Sequence, residues 1–366
     1  MIVAKFGGSS VRDAENMKNC AQIIERNPNI SLVILSATYN TTNELDFLFS
    51  TFLEKGKADE VENLAKDIIQ RHQSLSEELL GSNNEVLSEL FFEFKEFIQT
   101  WDDVTLEDTP KFRDHTLSFG ERFSTTLFYE YLKQWKNLEH RRVEFVKSYD
   151  YLKTNSDFGN ASYIEGSLSR FKTERWDALN DLDPELRKNT LFVAQGYIGS
   201  NERNEMTTLG REGSDYSAAL FAEAIDAEEV YIWTDVAGVF SCDPRLSDKA
   251  KVIDHLSYDQ ASLMAKYGAK VLYPETMAPL RNKKIKLWVK CTKDAQLRGS
   301  LISEQPCSEE GGYSVCIEKR KDGAILTHLG TDLLERPFPI IEKGNGVIRY
   351  YIPSKDITSI INQILN

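Results

Sequence analysis

The segment Leu209-Gly210-Arg211-Glu212-Gly213-Ser214-Asp215-Tyr216 lies between the apolar run Leu191 to Ile198 and the alanine-rich pattern Ser217 to Ala227. It is typical of a glycine-hinged loop that opens a helix, where backbone N–H groups and the helix dipole attract an anion. Arg211 can hold a carboxylate through two hydrogen bonds, and Asp215, on the first helical turn, can organise cations around a phosphate or Mg²⁺. An isolated loop of this kind is more often a surface turn, so the functional interpretation depends on other segments.

A second loop of the same character lies near the N-terminus. Ile2 to Phe6 is predicted to be a strand, and Gly7-Gly8-Ser9-Ser10 leads from it into a helix with Ser10 as the expected N-cap. A strand, a glycine pair and a helix in this order bring backbone amides against a phosphate. The order is not that of a Walker A loop, because Lys5 precedes the glycines. A tight turn remains the alternative explanation of the two glycines.

Polar residues also follow the second predicted strand, Ser31 to Leu35. Hydroxyl and amide side chains fill the segment Ser36 to Asn43, and α/β sheets bind ligands beyond the carboxyl ends of their strands. Turn and capping chemistry explains such a segment equally well. Glu121 is expected at the start of a later helix, where either the dipole favours it or it faces the amino group of a small zwitterionic substrate.

A further set of candidates follows the buried strand predicted for Val230 to Trp233. Thr234-Asp235 at its end is suited to hold a nucleotide, and Phe240 can line a slot for adenine. Lys270 enters a short apolar stretch, an unusual place for an amine unless it meets an anion. Ser257 to Gln260 has the spacing of a capping box that opens a helix.

Strands alternate with helices over residues 1–290. This pattern predicts an α/β fold, a three-layer sandwich whose largely parallel sheet carries helices on both faces. Residues from about 44 to 104 are predicted to form a helical excursion from the sheet. The catalytic domain is therefore expected to span 1–300. Residues 301–366 are expected to form a small α+β module after a polar linker, with a strand pair around residues 321–323, a later strand and a last helix.

Composition excludes several classes of protein. The net charge of -13 argues against general nucleic-acid binding. No apolar run is long enough for a membrane span, and no signal peptide is recognised at the N-terminus, so a cytoplasmic location is expected. The count of five cysteines is odd and favours reduced thiols. The histidines show no metal-ligand spacing, so no metal site is predicted.

The quoted segments resemble the motifs of aspartokinases, a branch of the amino-acid kinase family. The matching stretches are Lys5 to Val11, Leu209 to Tyr216, Trp233 to Arg245 and Tyr267 to Pro274, in the family's order over roughly residues 2 to 300. The chain departs from the family pattern at four positions, where Ser9 replaces threonine, Glu212 replaces glycine, Phe240 replaces tyrosine and Tyr273 replaces histidine.

The resemblance implies transfer of the ATP γ-phosphoryl group to the β-carboxylate of L-aspartate, giving 4-phospho-L-aspartate, with Mg²⁺ held mainly by phosphates. It assigns catalytic roles to Lys5, Gly8, Asp215 and Lys270. Aspartate binding is assigned to Arg211, Glu121, Ser36 and Thr42. Nucleotide binding is assigned to Lys5, Gly7, Gly8, Ser9, Thr234, Asp235, Phe240, Arg245 and Lys270.

The C-terminal region, residues 301–366, resembles one reduced ACT-like regulatory module where aspartokinases usually carry two. Feedback by lysine or threonine is therefore expected to be weak or absent, and the resemblance implies a homodimer. Two alternatives stay open at this point. One is a sibling kinase with another carboxylate acceptor, and the other is a weakly active regulator that binds a nucleotide or an amino acid.

Overall fold

The computed structural model describes residues 1–54, 57–81, 84–210, 212–267, 273–304, 314–320, 323–329, 339–344, 347–353 and 356–364. The chain divides into two compact units, Met1–Asp235 and Val236–Asn366. The domain boundary near residue 300 stays a prediction, because compactness and the extent of a catalytic domain are different properties. Each unit is described by itself.

The first unit is built on a sheet of parallel strands. The strands of this unit are β1 Ile2–Phe6, β2 Ile30–Leu35, β3 Arg142–Val146, β4 Thr190–Gln195, β5 Ile198–Ser200, β6 Met206–Thr208 and β7 Glu229–Thr234, of which β5 and β6 form a separate antiparallel pair. In the sheet β3, β4, β2, β1 and β7 follow one another, and each of these neighbouring pairs is parallel. Every residue of β1, β2 and β4 is buried, as in sheets covered on both faces. The predicted α/β class with a largely parallel sheet is confirmed.

Helices surround this sheet. They are α1 Ala14–Arg26, α2 Thr41–Leu53, α3 Ala58–Leu80, α4 Glu85–Gln99, α5 Thr109–Gln134, α6 Ser148–Tyr151, α7 Ser169–Phe171, α8 Ala178–Leu182, α9 Pro184–Lys188 and α10 Gly213–Ala224. Three of them, α2, α3 and α4, fall within the segment expected to be helical, and a 3₁₀ turn, Thr100–Asp103, closes it. Aromatic side chains of α4 pack against α5, and the ring centroids of Phe94 and Phe119 are 4.8 Å apart.

Some local predictions for the first unit were wrong. The N-cap of α1 is Asp13, whose carboxylate accepts from Asn16 N at 2.9 Å, and not Ser10. Glu121 lies in the middle of α5 and not at a helix start, because α5 is continuous from Thr109.

The region between β3 and β4 contains several short helices instead of one long helix. The structure has α7, a π-helical turn over Lys172–Asp177, α8 and α9 in this region. Asp183, between α8 and α9, has extended backbone angles and caps α9 by accepting from Glu185 N at 2.9 Å. A polar sequence with helical composition therefore does not decide between one helix and several short ones.

The second unit contains two groups of strands. Its strands are β8 His255–Ser257, β9 Lys286–Cys291, β10 Ser300–Ser303, β11 Ser314–Arg320, β12 Gly323–Leu329, β13 Ile340–Gly344 and β14 Val347–Pro353. Its helices are α11 Tyr258–Lys266, α12 Met277–Lys283 and α13 Ile357–Ile364. β10 pairs with β9 antiparallel and with β8 parallel, while β11, β12, β14 and β13 form an antiparallel sheet in that order.

Several predictions for the second unit are confirmed. Ser257 and Gln260 form the capping box of α11, and β14 and α13 lie where a strand and a helix were expected. The predicted strand pair is β11 and β12, and β13 was not predicted. Ile348, Tyr350 and Ile361 contribute to the buried core of this small α+β region. Its relation to an ACT module stays a prediction.

Two properties of the described residues bear on the composition argument. Cys20, Cys242 and Cys291 are free thiols and are buried. In the part of the chain that the structure describes, no helix has both the length and the apolar character needed to cross a membrane.

Candidate active site

A cavity of about 670 Å³ opens in the first unit beyond the ends of β1 and β2. Several separate parts of the chain line it, and they include the end of β1, the segment after β2, the middle of α5 and the loop before α10. Five of the predicted site residues are among the lining residues, namely Lys5, Gly8, Ser36, Thr42 and Glu121. The structure therefore brings together positions that the sequence separates by more than a hundred residues.

Lys5 and Asp215 form a buried ion pair at this cavity. The Lys5 Nζ lies 2.6 Å from Asp215 Oδ1, and the two side chains are 10% and 4% exposed. Lys5 lies near the end of β1, where this strand is still paired with β2. Asp215 lies in the first turn of α10, as predicted. A carboxylate in this place fixes where the ammonium points, and it offsets part of the cost of burying it.

The glycine pair allows backbone to approach this ammonium closely. A Cβ on Gly7 would lie 3.4 Å from Lys5 Nζ, and a Cβ on Gly8 would lie 2.9 Å from the carbonyl oxygen of Ala37. Gly7 N donates to Trp233 O at 3.2 Å, so β7 supports the turn. At Gly8 a side chain would collide with backbone, which explains why the chain has glycine there.

Glu121 presents a buried carboxyl group to the same cavity. Its Oε1 accepts from Ala37 N at 3.1 Å, whereas Oε2 is buried and has no hydrogen-bond partner among the described residues. Burial raises the pKa of Glu121 to about 8, and the neighbouring Lys5 opposes this shift. An unpartnered buried carboxyl oxygen is suited to an ammonium group, which would supply both the missing hydrogen bond and a compensating charge.

The segment 36–43 forms the wall between Glu121 and the glycine pair. Ser124 donates to the carbonyl oxygen of Ser36 at 2.7 Å, and α2 begins within the segment at Thr41. The side chains of Ser36 and Thr42 are half-buried and line the cavity. Asn40 adopts a left-handed φ of 67° as the N-cap of α2, a conformation that asparagine tolerates better than most residues.

The loop before α10 carries the departure from the family pattern. Glu212 lines the cavity and is the N-cap of α10, with a left-handed φ of 58°. Left-handed backbone favours glycine, and the family pattern has glycine at this position. Gly210 has a φ of 76°, and a Cβ there would lie 2.2 Å from Asn160 Oδ1. Arg211, the predicted carboxylate clamp, lies outside the described residues.

The predicted nucleotide-binding residues are distributed over both units. Thr234 and Asp235 end the first unit, where the Thr234 hydroxyl lies 3.4 Å from Asp235 Oδ1. Phe240 belongs to the second unit, as does Arg245, whose exposed guanidinium pairs with Asp243 at 2.6 Å. Lys270 lies outside the described residues, and Ser9 lies next to the glycine pair in the first unit.

Sequence reasoning missed other polar groups at the cavity. Arg113 Nε and Asp46 Oδ1 form an ion pair at 2.7 Å, and both residues line the cavity. Behind them Asp114 accepts from Gly159 N at 2.9 Å and from Thr208 N at 2.8 Å. These side chains project from the interiors of α2 and α5, so no loop motif or glycine spacing marks them in the sequence.

The donor set indicates which ligands fit. In the described ranges no group of three or more His, Cys, Asp or Glu side chains is arranged to hold a metal ion. A Mg²⁺ ion that keeps most of its ligands from phosphates and water needs no such group. The Lys5 ammonium and the close backbone approach at Gly7 and Gly8 suit a phosphate, and the free oxygen of Glu121 suits an amine.

Comparison with known proteins agrees with this geometry. The family described as "Amino acid kinase family" matches residues 1–291. Lysine-sensitive aspartokinase 3 of Escherichia coli (strain K12) is 35% identical over 331 residues, which cover 89% of this chain and 69% of that protein. Aspartokinase 3, chloroplastic, of Arabidopsis thaliana is 34% identical over 82% of this chain. The match covers 52% of the plant protein, so the chain spans about half its length.

A solved structure gives the same result at the level of the fold. The crystal structure of E. coli aspartokinase III in complex with aspartate and ADP matches with a TM-score of 0.75 and 28% identity. The match covers 100% of this chain and 83% of that one. The family relationship therefore extends from the sequence motifs to the arrangement of the strands and helices.

Proposed function

This chain belongs to the amino acid kinase family, in its aspartokinase branch, and from that premise we propose that it phosphorylates L-aspartate with ATP. The observation that carries the proposal is the cavity that joins the Lys5–Asp215 ion pair to the unpartnered oxygen of Glu121. One end of this cavity suits a transferring phosphoryl group, and the other suits the ammonium group of an amino acid.

The proposed reaction needs little covalent chemistry from the protein. A β-carboxylate oxygen of aspartate attacks the γ-phosphorus, the new P–O bond forms, and the bond to the β,γ-bridging oxygen breaks to release ADP. The aspartate carboxylate is already ionised at neutral pH, so the reaction requires no general base. The protein has to position the two substrates and stabilise charge on the phosphoryl oxygens. Lys5, held by Asp215, is placed for the second task.

The remaining assignments are parts of the same proposal. Backbone at Gly7, Gly8 and Ser9 would approach the phosphates, and Ser36 and Thr42 would contact aspartate beside Glu121. Mg²⁺ bound to the nucleotide would neutralise charge on its phosphates. The resemblance supports the further roles of the other residues. It assigns the α-carboxylate clamp to Arg211, a second ammonium to Lys270, and contacts with the nucleotide to Thr234, Asp235, Phe240 and Arg245.

Quaternary structure, location and regulation are also proposals. We propose a homodimer, because the resemblance implies one, and light scattering after size exclusion would measure its mass. A cytoplasmic location was expected from the sequence, and fractionation of cells would test it. We also propose that feedback by lysine and threonine is weak, in contrast to a relative that is named as lysine-sensitive. Inhibition below millimolar concentrations of either amino acid would contradict this proposal.

The activity test is the formation of aspartyl phosphate, trapped as the hydroxamate, with purified protein, ATP, Mg²⁺ and L-aspartate. Turnover that requires aspartate is expected. Glutamate, N-acetylglutamate and uridine monophosphate serve as acceptors that separate this activity from those of sibling kinases. ADP formation with one of these acceptors, and not with aspartate, would contradict the proposal.

A further inference from the structure

A chain of hydrogen bonds connects α3 to the segment 36–43 of the cavity wall. Arg71 Nη2 donates to Thr41 Oγ1 at 2.8 Å, and the Thr41 and Thr38 hydroxyl oxygens are 2.5 Å apart. Thr38 Oγ1 lies 3.1 Å from His72 Nε2, and His72 Nδ1 lies 2.7 Å from the carbonyl oxygen of Ile68. Thr38, Thr41 and His72 are 4%, 0% and 1% exposed, so the centre of the chain is dry.

The donors and acceptors in this chain can be assigned by elimination. The Ile68 carbonyl can only accept, so His72 Nδ1 carries a hydrogen. Burial lowers the pKa of His72 to about 4, so the imidazole is neutral and Nε2 is an acceptor. Thr38 must then donate to Nε2 and accept from Thr41, which in turn accepts from Arg71. Each hydroxyl donates once and accepts once, which makes the chain directional and satisfies both hydroxyls and both ring nitrogens of His72.

A pair of charged groups lies at the outer end of this chain. Arg71 pairs with Glu44 at 2.6 Å, and the two side chains are 40% and 32% exposed. Arg71 lowers and Glu44 raises the pKa of His72, and both effects are smaller than that of burial. The neutral tautomer of His72 is therefore set by its buried location and by the Ile68 carbonyl.

The hydrogen-bond chain supports a segment that has other anchors to α5. Ser124 holds the carbonyl of Ser36, and Glu121 accepts from Ala37 N, so the first residues of the segment are fixed from α5. Thr38 is the next residue, and its side chain is held from α3 through His72. Two predicted aspartate-binding residues, Ser36 and Thr42, flank the stretch that this contact fixes.

We propose that His72 is a positioning residue for the acceptor side of the active site, which orients the Thr38 hydroxyl and thereby fixes the segment 36–43 against Gly8 and Glu121. This inference rests on the proposed function for its kinetic test. It gives a role to the helical excursion, because α3 supplies the residue that contacts the segment 36–43 of the cavity wall. His72 acts through Thr38 and contacts no substrate.

Two substitutions at His72 make a matched pair. His72→Gln can place an acceptor near the position of Nε2, whereas His72→Asn is too short to reach Thr38 and replaces only the Nδ1 side of the ring. We expect the Asn variant to raise the KM for aspartate by about tenfold relative to the Gln variant, with the KM for ATP changed by less than about twofold. The melting temperatures of both variants are measured to check that the two proteins are equally stable.

Substitutions at Thr38 test the same contact from the other side. Thr38→Val removes the hydroxyl and keeps the shape, and it should reproduce the aspartate effect of His72→Asn, while Thr38→Ser should restore the wild-type value. Thr51→Val is the control, because Thr51 is a buried threonine of α2 whose hydroxyl donates to Phe47 O within its own helix. The control variant should keep both KM values.

Hydrogen exchange of the backbone amides of residues 36–43 gives a readout that does not require turnover. We expect exchange to be about tenfold faster in Thr38→Val and His72→Asn than in the wild type, and unchanged in Thr38→Ser. If wild-type protein forms no aspartyl phosphate, the proposed function fails while the exchange data still decide the positioning role. Equal exchange and equal KM values in all these variants, with only the melting temperature changed, would overturn the inference.

Discussion

The Lys5 ammonium lies 2.6 Å from Asp215 Oδ1, and this contact joins the end of β1 to the first turn of α10. Because both side chains are buried, neither charge can be left alone without a large cost. Loss of either partner would therefore destabilise the fold, and the ion pair also fixes the position of the ammonium to which the proposed function gives a catalytic role. These two contributions can be separated by experiment.

Removal of one partner of this ion pair should affect stability and activity together. Lys5→Met or Asp215→Asn is expected to lower the free energy of unfolding by about 3–5 kcal/mol, because an uncompensated buried charge remains. The double variant should recover part of this loss but should remain inactive, with kcat reduced by at least about a hundredfold. Urea unfolding and the hydroxamate assay measure the two effects. A double variant as unstable as the sum of the single variants would contradict the pairing argument.

The affinity for aspartate should depend on the protonation state of Glu121. Burial raises the pKa of this group to about 8, so below that pH the free protein holds a neutral carboxyl that binds an ammonium poorly. The KM for aspartate should therefore fall by up to about tenfold per pH unit as the pH rises toward 8, and then level off. Glu121→Gln should show a higher KM without this dependence. A wild-type KM for aspartate that is flat from pH 6 to 8 would exclude the proposed role.

The same carboxyl group should reduce stability at neutral pH. Its pKa is about 8 in the folded protein, against 4.5 for an ordinary glutamate, so the unfolded state loses the proton first as the pH rises. The contribution of this group to stability is fully present below the pKa of the unfolded state. It is lost as the pH rises from that pKa to the pKa of the folded state. Glu121→Gln should therefore be the more stable protein at pH 8, by up to a few kcal/mol, with a smaller difference at pH 5. Thermal unfolding at both pH values would show a constant difference if this linkage were absent.

Gly8→Ala should disturb the cavity wall. The new Cβ would lie 2.9 Å from the Ala37 carbonyl oxygen, so the segment 36–43 has to shift. We expect the free energy of unfolding to fall by about 1–3 kcal/mol and kcat/KM to fall at least about tenfold. Gly344→Ala is the control, because a Cβ there has no atom within 4 Å. An active, fully stable Gly8→Ala variant would show that the wall yields without consequence.

Substitution of Glu212 should separate charge from backbone strain. Glu212→Gly relieves the left-handed φ of 58°, which costs about 1 kcal/mol for most residues, although glycine returns a similar amount of freedom to the unfolded chain. The free energy of unfolding should thus change by less than about 1 kcal/mol. Glu212→Gln keeps the strain and removes the charge. If the charge repels the substrate, both variants should lower the KM for aspartate by about two- to threefold at low salt. An unchanged KM in both would place the carboxylate away from bound aspartate.

Local patterns allowed part of this site to be predicted from the sequence. The glycine pair after β1, the acidic residue on the first turn of α10 and the hydroxyl cluster after β2 are each encoded within a few consecutive residues. Parallel strands then bring such segments to one edge of the sheet, so the meeting of Lys5, Gly8 and Ser36 follows from the topology.

Side chains from helix interiors could not be predicted in the same way. Arg113 and Asp46 meet across α2 and α5, and nothing in the spacing of either helix marks them. Glu121 was expected at a helix start, whereas α5 continues through Gly120, which makes a close contact with Ala37. The outcome in each case depends on tertiary packing, which propensity and period do not contain.

The hydrogen-bond chain through His72 and Thr38 has a consequence for how sequences of this kind change over time. Each of the two residues is useful only while the other is present, so substitutions at the two positions should occur together among relatives. The segment 36–43 and α3 would then be inherited as one unit. A chimera that takes the helical excursion from one parent and this segment from another should lose affinity for aspartate while its sheet still folds.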